Sequence, residues 1–363
     1  MTPASARERE ILLTGATGFL GMELLHRLLT RTDRTVLAPV RAADDAAAEG
    51  RLDTVLATLL GPDAGALRHR VRAVAADLEQ PSLGRSEAQR RALVAGVDTV
   101  VHCAASVAFT LPLPDARRSN VDGTRTVLEL AALAPDLDRV VHVSTAYVAG
   151  DRPGVAHEHE GDVGQTSRNT YERTKLEAEA VVAASGLPHC VLRPSIVVGD
   201  AHTGWTPAFN VIYWPLQALS RGLLPVIPGD PGGRADVVTV DVVADALLRL
   251  ACQERRTGTF HAAAGELAPT AQDLVDLAVG HFGIEPPRFV AIGEAPDIER
   301  YAGAFLPYFR VRGSFDLSRG RTIGVAPRPV PEVFDTLMRH AVRARWGRTP
   351  VARWEAQELR AAA

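Results

Sequence analysis

Tyr171 and Lys175 stand four residues apart in the run NTYERTKLEAEAVV. The run has the apolar spacing of an amphipathic helix, and residues i and i+4 share one helix face. An ammonium beside a phenol stabilises the phenolate and lowers the phenol's pKa. The pair therefore offers a proton donor or acceptor that works near neutral pH. The same ammonium is placed to hold the ribose of a nicotinamide cofactor. Some 25 residues upstream, RVVHVSTAYVAG carries an apolar run into Ser144, Thr145 and Tyr147. Hydroxyls at a strand end serve either as catalysts or as the polar lip where a buried strand meets water, and the segment alone leaves both open.

A second constellation is made of glycine. TGATGFLG places Gly15, Gly18 and Gly21 three apart, after the apolar run EILLTGA and at the start of the helical pattern GFLGMELLHRLLTR. In that context Gly15 permits a tight turn, Gly18 lets the backbone approach a pyrophosphate, and Gly21 lets helix and strand pack closely. The helix N-terminus turns its amides and positive dipole toward the phosphates. Thr17, Phe19 and Leu20, between the glycines, are expected to line the same turn. NAD binders usually carry an acid after the second strand, and NADP binders an arginine. Here the strand TVLAPV runs into Arg41, with Arg51 ten residues on, while Asp44 and Asp45 come later. The planar guanidinium fork bonds two phosphate oxygens at once, so the expected cofactor is NADPH. Pro39 cannot donate a ladder hydrogen bond, so the second strand is expected to be finishing there. Asp77 and Leu78 close the third strand, where Asp77 either meets the adenine amine or faces solvent.

These residues need a frame. EILLTGA, TVLAPV, VRAVAADL, VDTVVHCAA, RVVHVST and HCVLRPS are continuous apolar runs, the pattern of strands covered on both faces. Helical periodicity fills the segments between them, as in NVDGTRTVLELAALA. The alternation predicts an α/β fold with a doubly wound parallel sheet. It breaks after Gly199, where residues 200–235 are rich in Pro, Gly and aromatics. ADVVTVDVVADALLRLA then reads as a return strand and helix. The expected division is a nucleotide-binding domain of 1–200 and 236–262, and a smaller, mainly helical substrate lobe of 200–235 and 263–363. Trp205, Phe209, Ile212, Tyr213 and Trp214 crowd the 200–235 excursion of a chain that is only 5% aromatic. Trp205, Phe209 and Tyr213 are candidates for the substrate wall, the competing role being the core of the lobe.

Composition limits the partners. A net charge of −3 provides no basic field for nucleic acid. No apolar run reaches the ~18 residues of a membrane span. MTPASARERE is polar and charged, without the pattern of a secretory signal. Cys103, Cys190 and Cys252 lie far apart in apolar surroundings, a spacing that fits neither a metal site nor a disulfide framework. Reduced buried thiols and a cytoplasmic location are expected.

The order of glycine loop, strand ending in Ser-Thr and Y-x-x-x-K resembles the extended short-chain dehydrogenase/reductase superfamily, with its Rossmann sheet. The runs VVHCAASVAFTLPLPDARRSNVDGTRTVLELA, HVSTAYVAGD, TYERTKLEAE, LRPSIVVGDAHTGW and ADVVTVDVV follow at a spacing similar to its thioester-reductase and fatty acyl-CoA reductase branch. That branch includes the terminal reductase domains of carboxylic acid reductases and peptide synthetases. The resemblance covers roughly residues 10–262, and LPYFRVRGSFDLSRGR is similar to the Phe-Asp region late in fatty acyl-CoA reductases. It implies a Thr145–Tyr171–Lys175 triad, with Ser144 structural and Tyr147 for packing or substrate wall. It implies that Arg41 and Arg51 hold a 2′-phosphate, that Ala104 lies against the cofactor, and that Pro194 and Ser195 stand beside the nicotinamide carboxamide. Asn120 matches the superfamily's active-site-helix Asn, and His102 a structural histidine. VVTVD departs from the pattern, which has Pro before Val-Asp, and puts the backbone near Thr239 in question.

The implied reaction is hydride transfer from NADPH to an acyl thioester, with Tyr171 and Thr145 bonding the developing oxyanion. Aldehyde and thiol result, and a second hydride gives alcohol. No adenylation or carrier pattern is visible, so the thioester is expected as acyl-CoA or on a carrier protein in trans. Arg339, Arg343 and Arg345 in TLMRHAVRARWGR form either a docking face or a solvated one. Other readings of the same residues are a ketone or aldehyde reductase or hydroxysteroid-type dehydrogenase, a nucleotide-sugar epimerase or dehydratase, and a cofactor-binding regulator without chemistry. Arg41 in place of an acid argues against the second, and the Thr145–Tyr171–Lys175 set against the third.

Overall fold

Glu10–Thr14 forms a strand because Ile11, Leu12 and Leu13 are apolar toward both faces, and all three are fully buried. A strand covered on both sides belongs inside a parallel sheet. The computed structural model describes residues 9–302, 307–308 and 311–361, so most of the MTPASARERE run lies outside the described residues. The chain begins β1 (Glu10–Thr14), α1 (Phe19–Arg31), β2 (Thr35–Val40), α2 (Asp45–Leu60), α3 (Ala64–Leu67), β3 (Val71–Ala75) and α4 (Glu87–Leu93). It continues through β4 (Val97–His102), α5 (Leu113–Arg117), α6 (Gly123–Ala131), β5 (Arg139–Val143), β6 (Val155–Ala156), α7 (Thr170–Ala184) and β7 (His189–Pro194). Then come β8 (Ile196–Val198), α8 (Tyr213–Ser220), β9 (Val226–Pro228), β10 (Val237–Thr239), α9 (Val240–Cys252) and β11 (Gly258–Ala262). The last elements are α10 (Ala271–Phe282), β12 (Arg288–Val290), α11 (Pro296–Ala302), β13 (Ser314–Phe315), α12 (Val330–Arg343) and α13 (Arg353–Ala361).

Seven strands form one sheet in the order β11-β7-β5-β4-β1-β2-β3. The ladders joining β1 to β2 and β4, β2 to β3, and β5 to β4 and β7 are all parallel. Strand order reverses between β1 and β4, and such a switch point opens a crevice at the strands' carboxyl ends. Pro39 sits inside β2, opposite Val74 of β3. Val40 turns its carbonyl to Ala76 beyond β3, so Pro39, one residue back, turns the other way, toward β1. The β1 ladder has already ended at the Leu12–Leu37 pair, so the missing N–H leaves no gap. Under the sheet, Leu12, Leu37, Val100, Val127, Leu130 and Val140 share one apolar cluster.

The chain divides into two compact units, which differs from the division expected from the sequence. The first holds residues 1–144, 170–192 and 244–259, and the second 145–169, 193–243 and 260–363. Residues 145–169 thus join the second unit. Among the described residues that unit has no large sheet of its own; its strands pair two by two, β8 with β10, β9 with β12 and β6 with β13, each parallel. Thr239 pairs with Val198, so the chain that lacks the expected proline there still makes a regular ladder before α9 begins at Val240. Arg339 and Arg343 lie on α12, but Arg345 lies beyond its C-cap with φ +47. Among the described residues no helix is long and apolar enough to cross a membrane.

Candidate functional site

The glycine turn sits at the switch point. Gly15 follows β1 with φ +73, and a Cβ there would stand 2.8 Å from the Ala104 backbone nitrogen, just past β4. Gly21 is still tighter, since its Cβ would come within 2.0 Å of the Gly15 carbonyl oxygen. Gly18 differs: only that same oxygen lies near, at 3.4 Å, so the space above it is open. It holds the N-cap position of α1 without a side-chain cap, and no acid stands in the helix's first turn. A backbone cradle with open space over its middle glycine and an uncapped helix end fits a dinucleotide pyrophosphate. Thr17, Phe19 and Leu20 occupy the turn and the first helical residues.

At the end of β2 the acids are committed elsewhere. Asp44 caps α2 by accepting from the Ala47 amide at 2.8 Å, and Asp45 accepts from the Ala75 amide at 2.7 Å. Arg41 remains 72% exposed, 3.1 Å from Glu79 and 3.9 Å from Asp77, and Arg51 donates to its carbonyl. Asp77 also accepts from the Glu79 amide at 3.0 Å. Leu78 packs against the apolar cluster under the sheet.

Lys175 stands on α7 with 2% exposure, its ammonium 3.4 Å from His142 Nε2 on β5. Burial lowers its pKa from the ordinary 10.5 to about 8, with the Glu179 carboxylate pulling the other way. At pH 7 the ammonium form still dominates about tenfold. Burial, then the charge of Lys175, holds His142 well below the usual 6.5, so it stays neutral. Tyr171, half-buried and one helical turn before Lys175, has the ring of Phe109 5.8 Å away. Asn120 is buried in a π-helical turn, Arg118–Asp122. Its side chain accepts from the Ser106 amide at 2.7 Å and donates to the Ser106 carbonyl and to Thr174 Oγ1, each at 3.0 Å. It thereby ties the loop after β4 to α7. His102 is bridged between Thr14 Oγ1 at 2.7 Å and Thr124 Oγ1 at 3.0 Å, and burial lowers its pKa to about 3. It is a neutral spacer and no base.

In the second unit, Thr145 is 4% exposed and opens a short 3-10 turn, Ala146–Ala149. Its hydroxyl donates to the Pro194 carbonyl and accepts from the Tyr147 amide, each at 3.3 Å, the long end of the range. Pro194 is thus engaged through its carbonyl, and the Ser195 amide is spent on the Ala262 carbonyl at 3.0 Å. Tyr147 is buried, donates to the Asp236 carbonyl at 3.3 Å and meets Tyr308 edge-on at 4.8 Å.

Of the three aromatic candidates, Trp205 and Tyr213 are buried in that unit and Phe209 is half-buried. Trp205 has no exposure and its indole N–H donates to the Val351 carbonyl at 2.9 Å. Tyr213 is buried, its hydroxyl accepting from the Gly199 amide at 2.9 Å, and burial raises its pKa. Phe209 stacks on His340 and meets Tyr213 edge-on at 5.1 Å. A separate cleft opens nearby in sequence. Trp214, Leu216, Leu224, Leu274, Phe289 and Ile298 line it, so α8 and its following loop form one wall and α10, β12 and α11 the other. Of the LPYFRVRGSFDLSRGR run, Leu306, Phe309 and Arg310 lie outside the described residues.

Sequence reasoning passed over Glu79, Arg118 and Ser119 around Arg41, His142 beside Lys175, and Leu224, Leu274, Phe289 and Ile298 of the cleft. Two signals were available. His142 interrupts an apolar strand two residues before Ser144, and Glu79 follows Asp77 at the spacing of a turn.

A family profile described as "Male sterility protein" matches residues 13–247. Over 279 residues the chain is 31% identical to Fatty acyl-CoA reductase 1 of Mus musculus, covering 67% of this chain and 54% of the relative. Over 291 residues it is 34% identical to a linear gramicidin synthase protein of Brevibacillus parabrevis, covering 76% of this chain and 6% of that much longer one. The chain spans about half the length of the fatty acyl-CoA reductases it matches. Among solved structures, the terminal R domain from the myxalamid PKS-NRPS biosynthetic pathway superposes with a TM-score of 0.80 at 25% identity, covering 96% of this chain and 94% of that one. UDP-glucuronic acid 4-epimerase from Bacillus cereus, in complex with NAD, superposes with a TM-score of 0.68 at 18% identity over 93% and 98% of the two chains, a likeness of fold.

Proposed function

We propose that this chain, which belongs to the male sterility protein family, is an NADPH-dependent reductase that converts an acyl thioester to the aldehyde. The observation that carries the reading is the buried Lys175 one helical turn from Tyr171, in a unit whose glycine turn lies at the sheet's switch point. The relatives named as fatty acyl-CoA reductases, and the likeness to a terminal R domain, support a thioester as substrate. Asp44 and Asp45 being committed to backbone amides, with Arg41 exposed beside them, supports NADPH over NADH.

When bound, NADPH supplies the hydride. Gly15, Gly18, Gly21 and the start of α1 hold the pyrophosphate, and Arg41 and Arg51 the 2′-phosphate. Asp77 and Leu78 border the adenine. Tyr171 gives its proton to the carbonyl oxygen of the thioester, and Lys175 keeps that phenol acidic. Thr145 enters as a second hydroxyl for the same oxygen on the order of motifs along the chain alone. The tetrahedral hemithioacetal then releases the thiol and leaves the aldehyde. The apolar cleft of the second unit, with Trp214 and Phe289 in its walls, is proposed to take the acyl tail.

The test is anaerobic NADPH consumption against acyl-CoAs, carrier-bound acyl groups, aldehydes and ketones, with product identification. Aldehyde or alcohol from thioesters is expected. Turnover of ketones alone, or none at all with a folded protein, overturns the reading. Leu224→Trp, which fills the cleft, should shift preference to shorter acyl groups.

A further inference from the structure

Glu79 is placed where an anion meets two exposed guanidiniums. Its Oε1 accepts from Arg41 Nη2 at 3.1 Å and from Ser119 Oγ at 2.7 Å. Its Oε2 lies 3.5 Å from Arg118 Nε. Arg118 also donates to Asp115, and Arg51 to the Arg41 carbonyl. The side chains of Arg41 and Arg118 are 72% and 54% exposed, that of Glu79 only 26%. Two cations that reach solvent are thus drawn together by one carboxylate at their base. A phosphate monoester asks for the same donors as a carboxylate and carries more charge.

We propose that Glu79 is an internal competitor for the 2′-phosphate, holding Arg41 and Arg118 in readiness and giving them up when phosphate arrives, and that Arg118 is a third arm of the clamp. The inference rests on the NADPH reading above. On that basis affinity is set by exchange: each new arginine–phosphate contact replaces an arginine–carboxylate contact, and Glu79 stays close enough to repel the incoming dianion. The arrangement tempers NADPH affinity, and with it the margin over NADH, because NADH, lacking the phosphate, displaces no carboxylate and is left as it was. It also predicts how the balance moves when the carboxylate charge is removed and its shape kept.

Glu79→Gln retains an acceptor for Ser119 and loses the charge. NADPH should bind about three- to tenfold tighter, as expected for relieving one like charge at a solvated site. NADH should change less than about twofold. Calorimetric titration with NADPH, NADH and 2′-phospho-ADP-ribose reads this directly, without turnover. Arg118→Ala should weaken NADPH and 2′-phospho-ADP-ribose and leave NADH as it was. If wild type prefers NADPH but Glu79→Gln binds it equally or more weakly, the competitor role is overturned and the NADPH reading stands. An Arg118→Ala variant with unchanged NADPH affinity removes the third arm. If wild type binds NADPH and NADH alike and Arg41→Ala alters neither, the NADPH reading itself falls.

Discussion

Lys175 and Glu158 are both charged side chains with almost no exposure, 2% and 0%, one in each unit. The chain treats them in opposite ways. Glu158 Oε1 accepts from the His261 amide at 2.7 Å and the Gly320 amide at 2.8 Å. Its Oε2 accepts from the Arg319 amide at 2.5 Å and Ser318 Oγ at 3.3 Å. Every lone-pair direction has a donor, most of them backbone. Lys175, with three donors, has His142 as its hydrogen-bond partner among the described residues, at 3.4 Å. A buried charge that is fully bonded organises structure, as Glu158 does by pinning the 318–320 segment to the start of the second unit. One left underbonded is destabilising unless something outside the chain completes it. The difference fits the proposed reading, in which Lys175 is kept for a ligand and Glu158 for the fold.

The largest expected effect lies on the catalytic side. Lys175→Met removes a poorly bonded charge and keeps the apolar stem, so its urea midpoint should be equal to or above that of wild type. Turnover should nevertheless fall by about 10²-fold or more, as it should for Tyr171→Phe. A Met variant that unfolds early, or a Phe variant with near-normal turnover, breaks the comparison at its first term. Glu158→Gln should behave in reverse. Its amide turns N–H groups toward the Arg319 amide and Ser318, which leaves buried donors unmatched and costs about 3 kcal/mol. Intrinsic turnover per folded molecule should survive. A Gln variant with wild-type stability would mean that the carboxylate is replaceable and the contrast false.

The parts of this molecule that sequence made legible are those in which local pattern determines the outcome. Gly15, Gly18 and Gly21 after an apolar strand required the turn that the structure contains, and the continuous apolar runs required a sheet covered on both faces. What stayed hidden depends on pairing across long distances. Residues 145–169 join the second unit partly through Glu158, whose partners lie between 103 and 162 residues away, and no local signal reports that. Arg118 meets Glu79 only because the π-helical turn after α5 and the turn beyond β3 come together in space. Trp205, Phe209 and Tyr213 were visible as an aromatic cluster, but their partners Val351, His340 and Gly199 were not. Trp214 of that crowded stretch, with Leu224 from the same excursion, lines the cleft instead.

A smaller effect sharpens the Lys175 side through pH. In the unfolded chain Lys175 titrates near 10.5, and in the folded chain at about 8. Below pH 8 both states hold the proton, and folding bears the full cost of burying it. Between pH 8 and 10.5 the folded state has released the proton while the unfolded state keeps it. The unfolded state then binds more protons, so stability rises with pH, by up to about 1.4 kcal/mol per unit. Above 10.5 this contribution is constant. Urea melts of wild type and Lys175→Met at pH 7, 8, 9 and 10 isolate the effect as a difference. The difference should be flat below 8 and should shift in favour of wild type above it. A difference that stays flat throughout would mean that Lys175 is better solvated than its burial implies.

The smallest expected effect belongs to His142. The ring is fully buried and neutral, its Nε2 faces the Lys175 ammonium, and its Nδ1 has no partner among the described residues. His142→Phe deletes the ammonium's acceptor and that unpartnered nitrogen together. The two changes oppose each other, so stability near neutral pH should move by less than about 1 kcal/mol. The proton should not be indifferent. With the acceptor gone, the charged form of Lys175 loses a bond that the neutral form does not need, and its pKa falls further. The lower edge of the stability rise should therefore move below pH 8, and His142→Gln, which keeps an acceptor, should bring it back. An unmoved edge in the Phe variant would reduce His142 to packing, and Lys175 would then be a buried charge with no partner of its own.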